Sequence, residues 1–337
     1  MPIAPAANNF LLAIDKQSNE STINTTADYS VPVYSATIGP VYDDVRIEVT
    51  DAASIQGDVA KGPTYWTAEA EFPAFGDSLG RFLQSLWVTD TTTGAGPYTH
   101  TYSGLGGTQP WVALYSEWTS AGAFEQTFGK GQATGMTFSA TADENPLRIS
   151  YRATGQEPSV ATYSVTTADD LSDGYFTLRS ATANIEADFD TPNANPTVAI
   201  TNVTAVSIDV DRPATPVLAA DGVNVRYIGA GKVVPSGTMT MVWADWDAYR
   251  ASYFGSVGGS TASATVVTGA LDLNFKHTSQ ATWSFELYVP AVQFRVAPPT
   301  PDPAGGPLTL EVTLNIQTPT SGSHVQPILI NSTSASY

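Results

Sequence analysis

The stretch Thr64–Trp87, TYWTAEAEFPAFGDSLGRFLQSLW, changes its periodicity part-way, and that change decides the fold. Trp66, Ala68, Ala70 and Phe72 alternate with Tyr65, Thr67, Glu69 and Glu71, the period of two of a half-buried strand. The alternation stops at Pro73. Leu79, Phe82, Leu83, Leu86 and Trp87 then recur at i, i+3, i+4, i+7 and i+8, one stripe of an α-helix, with Asp77 or Ser78 placed to cap it. Gly80 inside that helix costs about 1 kcal/mol relative to alanine, so packing has to hold the helix together. A helix this short with so broad an apolar face must lie against a sheet.

The same device returns downstream. Met239, Met241 and Trp243 alternate with Thr238, Thr240 and Val242, and Asp245 is placed to cap DWDAYRASYF. Trp246, Tyr249, Tyr253 and Phe254 repeat the stripe, with Arg250 as its exception. The recurring order of strand, cap and helix reads as an internal duplication. Around each helix lie alternating strands. The first set includes Val45-Ile47-Val49, Trp111–Trp118, Met136-Phe138-Ala140 and Leu147-Ile149-Tyr151-Ala153. The second includes Val206-Ile208-Val210, Leu271-Leu273-Phe275, Phe285-Leu287-Val289, Val292-Phe294-Val296 and Leu308 to Ile316, with Pro290 marking a bend or bulge.

The expected fold is therefore mostly β: two antiparallel β-sandwich or barrel domains, each with one packed α-helix. The expected boundaries are an N-terminal arm at 1–44, a first domain at 45–155, a linker at 156–182, a second domain at 183–318 and a C-terminal tail at 319–337. Asp51 to Pro63 reads as a turn-rich loop.

Composition narrows the function. The chain has 337 residues, 42% of them hydrophobic, which is enough for one large core or two ordinary ones. Charged residues are only 14%, as suits a surface mostly covered by neighbours or a protein that lives outside cells. The net charge of −18 has the wrong sign for capturing nucleic acid through its phosphates; it serves solubility or the repulsion of polyanions. There is no cysteine, so neither disulfides nor thiolate chemistry arise. The sequence shows no secretion signal and no apolar run long enough to span a membrane.

No catalytic constellation is legible. His100, His277 and His324 are far apart, and the first two sit on alternating strand faces, where a structural role accounts for them. The spacings of zinc, EF-hand and phosphate loops are missing, and no cofactor is expected. Asp188-x-Asp190, Asp209-x-Asp211 and Asp245-x-Asp247 could be read as calcium ligands or glycosidase carboxylates. Strand alternation and helix capping explain them more simply.

The order of elements resembles the major tail tube proteins of long-tailed (siphovirus) bacteriophages. The resemblance rests on AIDKQSNESTINTTADYSVPVYSATIGPV, WTAEAEFPAFGDSLGRFLQSLW and TGAGPYTHTYSGLGGTQPWVALY in the first half. In the second it rests on GTMTMVWADWDAYRASYFG, ATWSFELYVPAVQF and LTLEVTLNIQ. It implies a non-enzymatic virion protein whose sheets join edge to edge into rings that stack into a tube, through which DNA passes without specific binding. With a duplicated domain, three chains in pseudo-sixfold symmetry are favoured over six. Tape measure, tail terminator and distal tail proteins are the implied partners, with assembly in the host cytoplasm and no membrane.

Two sets of residues carry these expectations. Phe10, Leu11, Leu12 and Ile14 in the arm, with Ile55 and Val59 in the loop, are candidate contacts between rings. Glu69, Glu71, Asp209 and Asp211 are candidate bore-lining acids, since alternation aims each pair at one side. The competing class is an extracellular carbohydrate-binding β-sandwich or adhesin, stacking its Trp and Tyr on sugars. A glycoside hydrolase would need two placed carboxylates.

Overall fold

The computed structural model describes residues 10–20, 22–50, 55–118, 124–142, 146–185, 192, 196, 198–200, 202–218, 225–242, 247–264, 267–298, 308–334 and 336–337. Side chains of 42–63 are not described, nor are Asp188, Asp190, Trp243, Asp245, Trp246 or most of the loop after Pro298. The protein is mostly β. In chain order the first half holds β1 (Phe10–Gln17), β2 (Thr26–Pro32), β3 (Ser35–Thr50), β4 (Ile55–Pro73), α1 (Leu79–Leu86), β5 (Thr89–Thr93), β6 (Tyr98–Ser103), β7 (Trp111–Trp118), β8 (Phe124–Thr141) and β9 (Arg148–Ser159). Then come β10 (Ser164–Ala168), β11 (Phe176–Ile185), β12 (Val198–Ile200), β13 (Val203–Asp211), β14 (Ala214–Leu218), β15 (Val225–Ala230) and β16 (Val234–Val242). The chain continues through α2 (Asp247–Phe254), β17 (Gly269–His277), β18 (Ser284–Val296), β19 (Thr309–Ile316) and β20 (Gln326–Asn331).

Strand pairing follows one order twice. In the first half it runs β2-β1-β7-β8-β9-β4-β3, every neighbour antiparallel. In the second it runs β12-β11-β17-β18-β19-β16-β13, again antiparallel throughout. The halves are not separate. β13 pairs with β8, from Ala205↔Thr141 to Asp211↔Gly135, and one hydrophobic core runs through both. The result is a continuous belt of strands, β3-β4-β9-β8-β13-β16-β19-β18. No closed barrel forms among the described residues. Among the described residues the one parallel pairing is β10 with β2, so the segment expected as a linker supplies a strand.

The N-terminal segment is likewise no free arm. β1 lies between β2 and β7, and Leu12 and Ile14 are fully buried in the core of their own chain. Its run of apolar residues was too short to show a period. The expected loop 51–63 also differs: β4 begins at Ile55 and pairs with β3 from Thr50↔Ile55 onward, one long hairpin. The expected tail contains β20, which inserts between β18 and β6. Pro290 does mark an irregularity, since the β17–β18 register shifts beside it.

α1 is sealed on all sides rather than resting on one sheet. Leu79, Phe82, Leu83 and Leu86 are buried, and so are Gln84 and Ser85. The Tyr151 hydroxyl is 3.0 Å from Ser85 Oγ, and Trp87 Nε1 donates to the Val325 carbonyl at 2.8 Å. Gly80 explains itself here: a Cβ at that position would stand 2.2 Å from the Tyr337 ring. The ring is buried beside the helix, and Tyr337 N donates to Asp90 Oδ2 at 2.8 Å. Ser78 stands at the N-cap but makes no side-chain cap. Asp169, distant in sequence, accepts its amide hydrogen at 3.1 Å. α2 differs: Ala251 is its buried residue, while Tyr253, expected in the inward stripe, is 45% exposed.

Replacing Tyr337 with alanine is expected to cost roughly 3–5 kcal/mol, as for other large buried side chains. Tyr253→Ala should cost less than about 0.5 kcal/mol, as for an ordinary surface position. Urea unfolding midpoints of the two variants check the contrast.

Candidate assembly interface

Sheet edges are the chemically unfinished parts of this fold. β3 pairs with β4 and, among the described residues, with no other strand. β18 outgrows β17, whose pairing ends at Gly269↔Val292. Val292 pairs with Gly269 on one side and with Ile316 on the other, and Gln293 to Val296 pair with β19. Unpaired edges recruit other chains unless blocked.

The seam between the halves shows how such an edge is satisfied. Arg152 on β9 reaches across β8 to β13, with its Nη2 2.9 Å from Asp209 Oδ1 and 3.5 Å from Asp211 Oδ1. Its Nη1 donates to Thr137 Oγ1 at 3.0 Å, and Thr137 in turn donates to Asp209. Gly135 makes the crossing possible: a Cβ there would lie 2.4 Å from Arg152 Nη2.

The four acids expected to line a bore all lie on the belt's polar face, opposite the buried Ala68, Ala70, Ile208 and Val210. They are not bare. Asp209 and Asp211 are held by Arg152, and Glu71 Oε1 is 3.3 Å from Arg148 Nη1. Arg148 and Arg152 alternate with the buried Ile149, Tyr151 and Ala153 and so face outward; their pairing with acids on other strands was not legible, because register is a tertiary fact. Among the inter-ring candidates, Leu12 and Ile14 are unavailable, Phe10 and Leu11 are half-buried, and Ile55 and Val59 lie on the long hairpin. A groove of about 450 Å³ on the polar face is lined by Glu71, Arg148, Thr238 and Thr240, among others.

Sequence reading missed several carboxyl clusters. Burial raises Asp15 to about 7, helped by a hydrogen bond with Asp28; burial likewise raises Asp272 to about 7, beside Glu286. Asp272 and Glu286 hydrogen-bond each other, so they stand too close for the ~5 Å or more that separates glycosidase carboxylates. Burial also raises Asp169 to about 6, near Asp77 and Asp173 in a cavity of about 160 Å³. No group of three or more His, Cys, Asp or Glu among the described residues could hold a metal ion. His100 and His277 are buried structural residues: His100 Nε2 is 2.9 Å from the Thr333 carbonyl, and His277 Nδ1 accepts the Gln280 amide hydrogen at 3.1 Å.

The fold is that of an interwoven, mostly β protein with one shared core. Among families of known proteins, the sequence model described as "Phage tail tube protein" matches residues 9–318, so the chain belongs to the phage tail tube family. A search of curated proteins finds no match. The family makes the chain a structural component of a virion tail, and no helix among its described residues is long and apolar enough to cross a membrane.

Two expectations follow. Arg152→Ala should cost about 1 kcal/mol, since the partners are partly exposed, and the loss should shrink in high salt. A double-mutant cycle with Asp209→Asn measures it. The second concerns pH. Asp15, Asp169 and Asp272 hold protons in the folded chain at pH values where the unfolded chain, with its aspartates at the ordinary 3.8, has lost them. Their stabilising contribution is complete below pH 3.8 and is lost as pH rises through about 6 to 7. The melting midpoint should fall between pH 4.5 and 8 (on the order of the window those pKa values define), and Asp169→Asn should flatten the decline.

Proposed function

We propose that this chain is the repeating subunit of a phage tail tube, built without enzymatic turnover. Copies join edge to edge into rings, and the rings stack into a conduit that passes DNA without binding it. The observation that carries this reading is the membership of the tail tube family, in a chain whose strand belt ends on β3, covered by no second strand among the described residues. The doubled pairing order supports a duplicated tube domain, and hence rings of three chains with pseudo-sixfold symmetry. The long β3–β4 hairpin, bearing Ile55 and Val59, is the element assigned to stacking. The tail tip, tape measure and terminator proteins are its partners, and assembly takes place in the host cytoplasm.

Purified protein, alone or seeded with tail-tip complexes, should form tubes visible by negative-stain microscopy, and an isolated ring should have the mass of three chains. Six chains per ring would remove the duplicated-domain reading; persistent monomers under both conditions would remove the tube. Ile55→Asp together with Val59→Asp should preserve the circular dichroism spectrum and melting transition, yet stop growth at single rings. Removing residues 1–20 is a poor probe of stacking, because it deletes β1 from the core.

A further inference from the structure

Arg212 carries a buried charge that the protein does not compensate. It directly follows β13 and continues the inward parity of Ile208 and Val210, so its side chain runs to the rim of the core and not to the belt's polar face. Only 5% of the residue is exposed. Its Nη2 donates to the Gly107 carbonyl at 2.8 Å, while Nε and Nη1 are buried and have no acceptor among the described residues. We infer that Arg212 and the glycine turn at 104–107 form a seat for a small free oxyanion of the phosphate class, held on the open side of the guanidinium. The seat belongs to the folded chain and does not depend on assembly.

The other arginines set the contrast. Arg81, Arg148 and Arg152 are all more exposed than Arg212, yet each has a carboxylate: Asp28 at 2.7 Å, Glu71 at 3.3 Å, and Asp209 at 2.9 Å respectively. The chain has 32 acidic residues to draw on, and none of those described pairs with Arg212. Burial alone lowers its pKa, with no acid near enough to raise it again. A guanidinium nevertheless keeps its proton in a protein, so the charge stays. A buried charge without a partner is one of the most destabilising features a fold can hold, and an anion taken from solution removes the penalty.

The seat is built in advance. Gly104 and Gly106 take φ values of 80° and 100°, and the Gly107 amide donates to the Gly104 carbonyl at 2.8 Å, a tight turn that aims the Gly107 carbonyl at Arg212. Gln109, two residues on, ties the loop down by donating to the Ala133 carbonyl of β8 at 2.9 Å. The Arg212 amide donates to the next carbonyl along, that of Thr134, at 2.8 Å. Loop and arginine are thus fixed to the same stretch of β8, and the guanidinium cannot swing away to find water. Its planar fork suits an anion that offers two oxygens, and chloride, a single acceptor, fits less well. So nearly closed a site admits an ion of a few atoms, and a DNA backbone or a docked chain is too large for it.

Titration of the unassembled full chain with inorganic phosphate, in phosphate-free buffer, tests the seat by calorimetry. One saturable site is expected, with a dissociation constant on the order of 1 mM, the strength of a pair of charge-assisted hydrogen bonds. Sulfate should compete, and chloride should need about tenfold more or beyond. Arg212→Met should abolish the saturable heat and, without phosphate, melt no lower than the native chain, because an unpaired buried charge has gone. General stabilisation by excluded phosphate acts on both chains alike and does not saturate. A second measurement needs no variant: in protein labelled with ¹⁵N-arginine, one Nε–H signal should shift along the same isotherm. A native chain with neither a saturable heat nor a moving arginine signal overturns the seat, and so does an Arg212→Met chain that keeps the isotherm.

Discussion

A strand longer than its neighbours leaves backbone groups that must find a partner, and β8 is such a strand. It runs 18 residues beside the 8 of β7. Its last seven residues would present an open edge if β13 did not take them. That one pairing converts two sets of strands into a single belt with a shared core. The switch of partner is built into the chain between Gly129 and Gly135. The Trp66 indole donates to the Gly129 carbonyl at 2.8 Å and fills a slot in which a Cβ at Gly131 or Gly155 would stand 2.4 or 2.3 Å from it. Lys130, with a φ of 52°, turns the backbone within that slot. The tryptophan and its glycines thus fix where β8 leaves one partner and meets the next.

The two helices divide between them what one helix could not do. α1 is enclosed by β1, β6 and β8 and by Tyr337, so its movement would open the core. α2 packs on β18, leaves Tyr253 in solvent, and its Ser252 hydroxyl accepts the Val296 amide hydrogen.

Much of this was legible in the sequence. Strand alternation marked Met136-Phe138-Ala140, Ile149-Tyr151-Ala153 and Val206-Ile208-Val210, all buried, and the period change at Pro73 located α1. What escaped was everything set by distant partners. β1 carries a run of apolar residues without alternation because the strand is buried on both faces, and such a run reads like a sticky arm. Asp169 replaces the local cap because burial brings the segment before β11 against the start of α1. Arg152 could be assigned to the outside of its strand, but not to Asp209, since only the β8–β13 register brings them together. The open edges were foreseeable in kind, as the outcome of antiparallel sheets, but not in place.

The polar face of the belt changes the electrostatic picture drawn from composition. On the reading of this face as the channel wall, Glu69, Glu71, Asp209, Asp211 and Glu311 share it with Arg148, Arg152 and Arg295, and with Thr137, Ser139, Ser150, Thr238 and Thr313. Paired charges at 3 Å cancel over distances beyond a Debye length of about 8 Å, so such a wall projects little field into a wide channel. It offers no free cluster of cations whose phosphate contacts would release counterions and hold DNA. Its hydroxyls bond water as readily as phosphate, and exchange between the two is nearly neutral in energy. The five acids outnumber the three arginines, so on that reading the wall keeps a small negative excess, and most of the net −18 lies elsewhere on the chain.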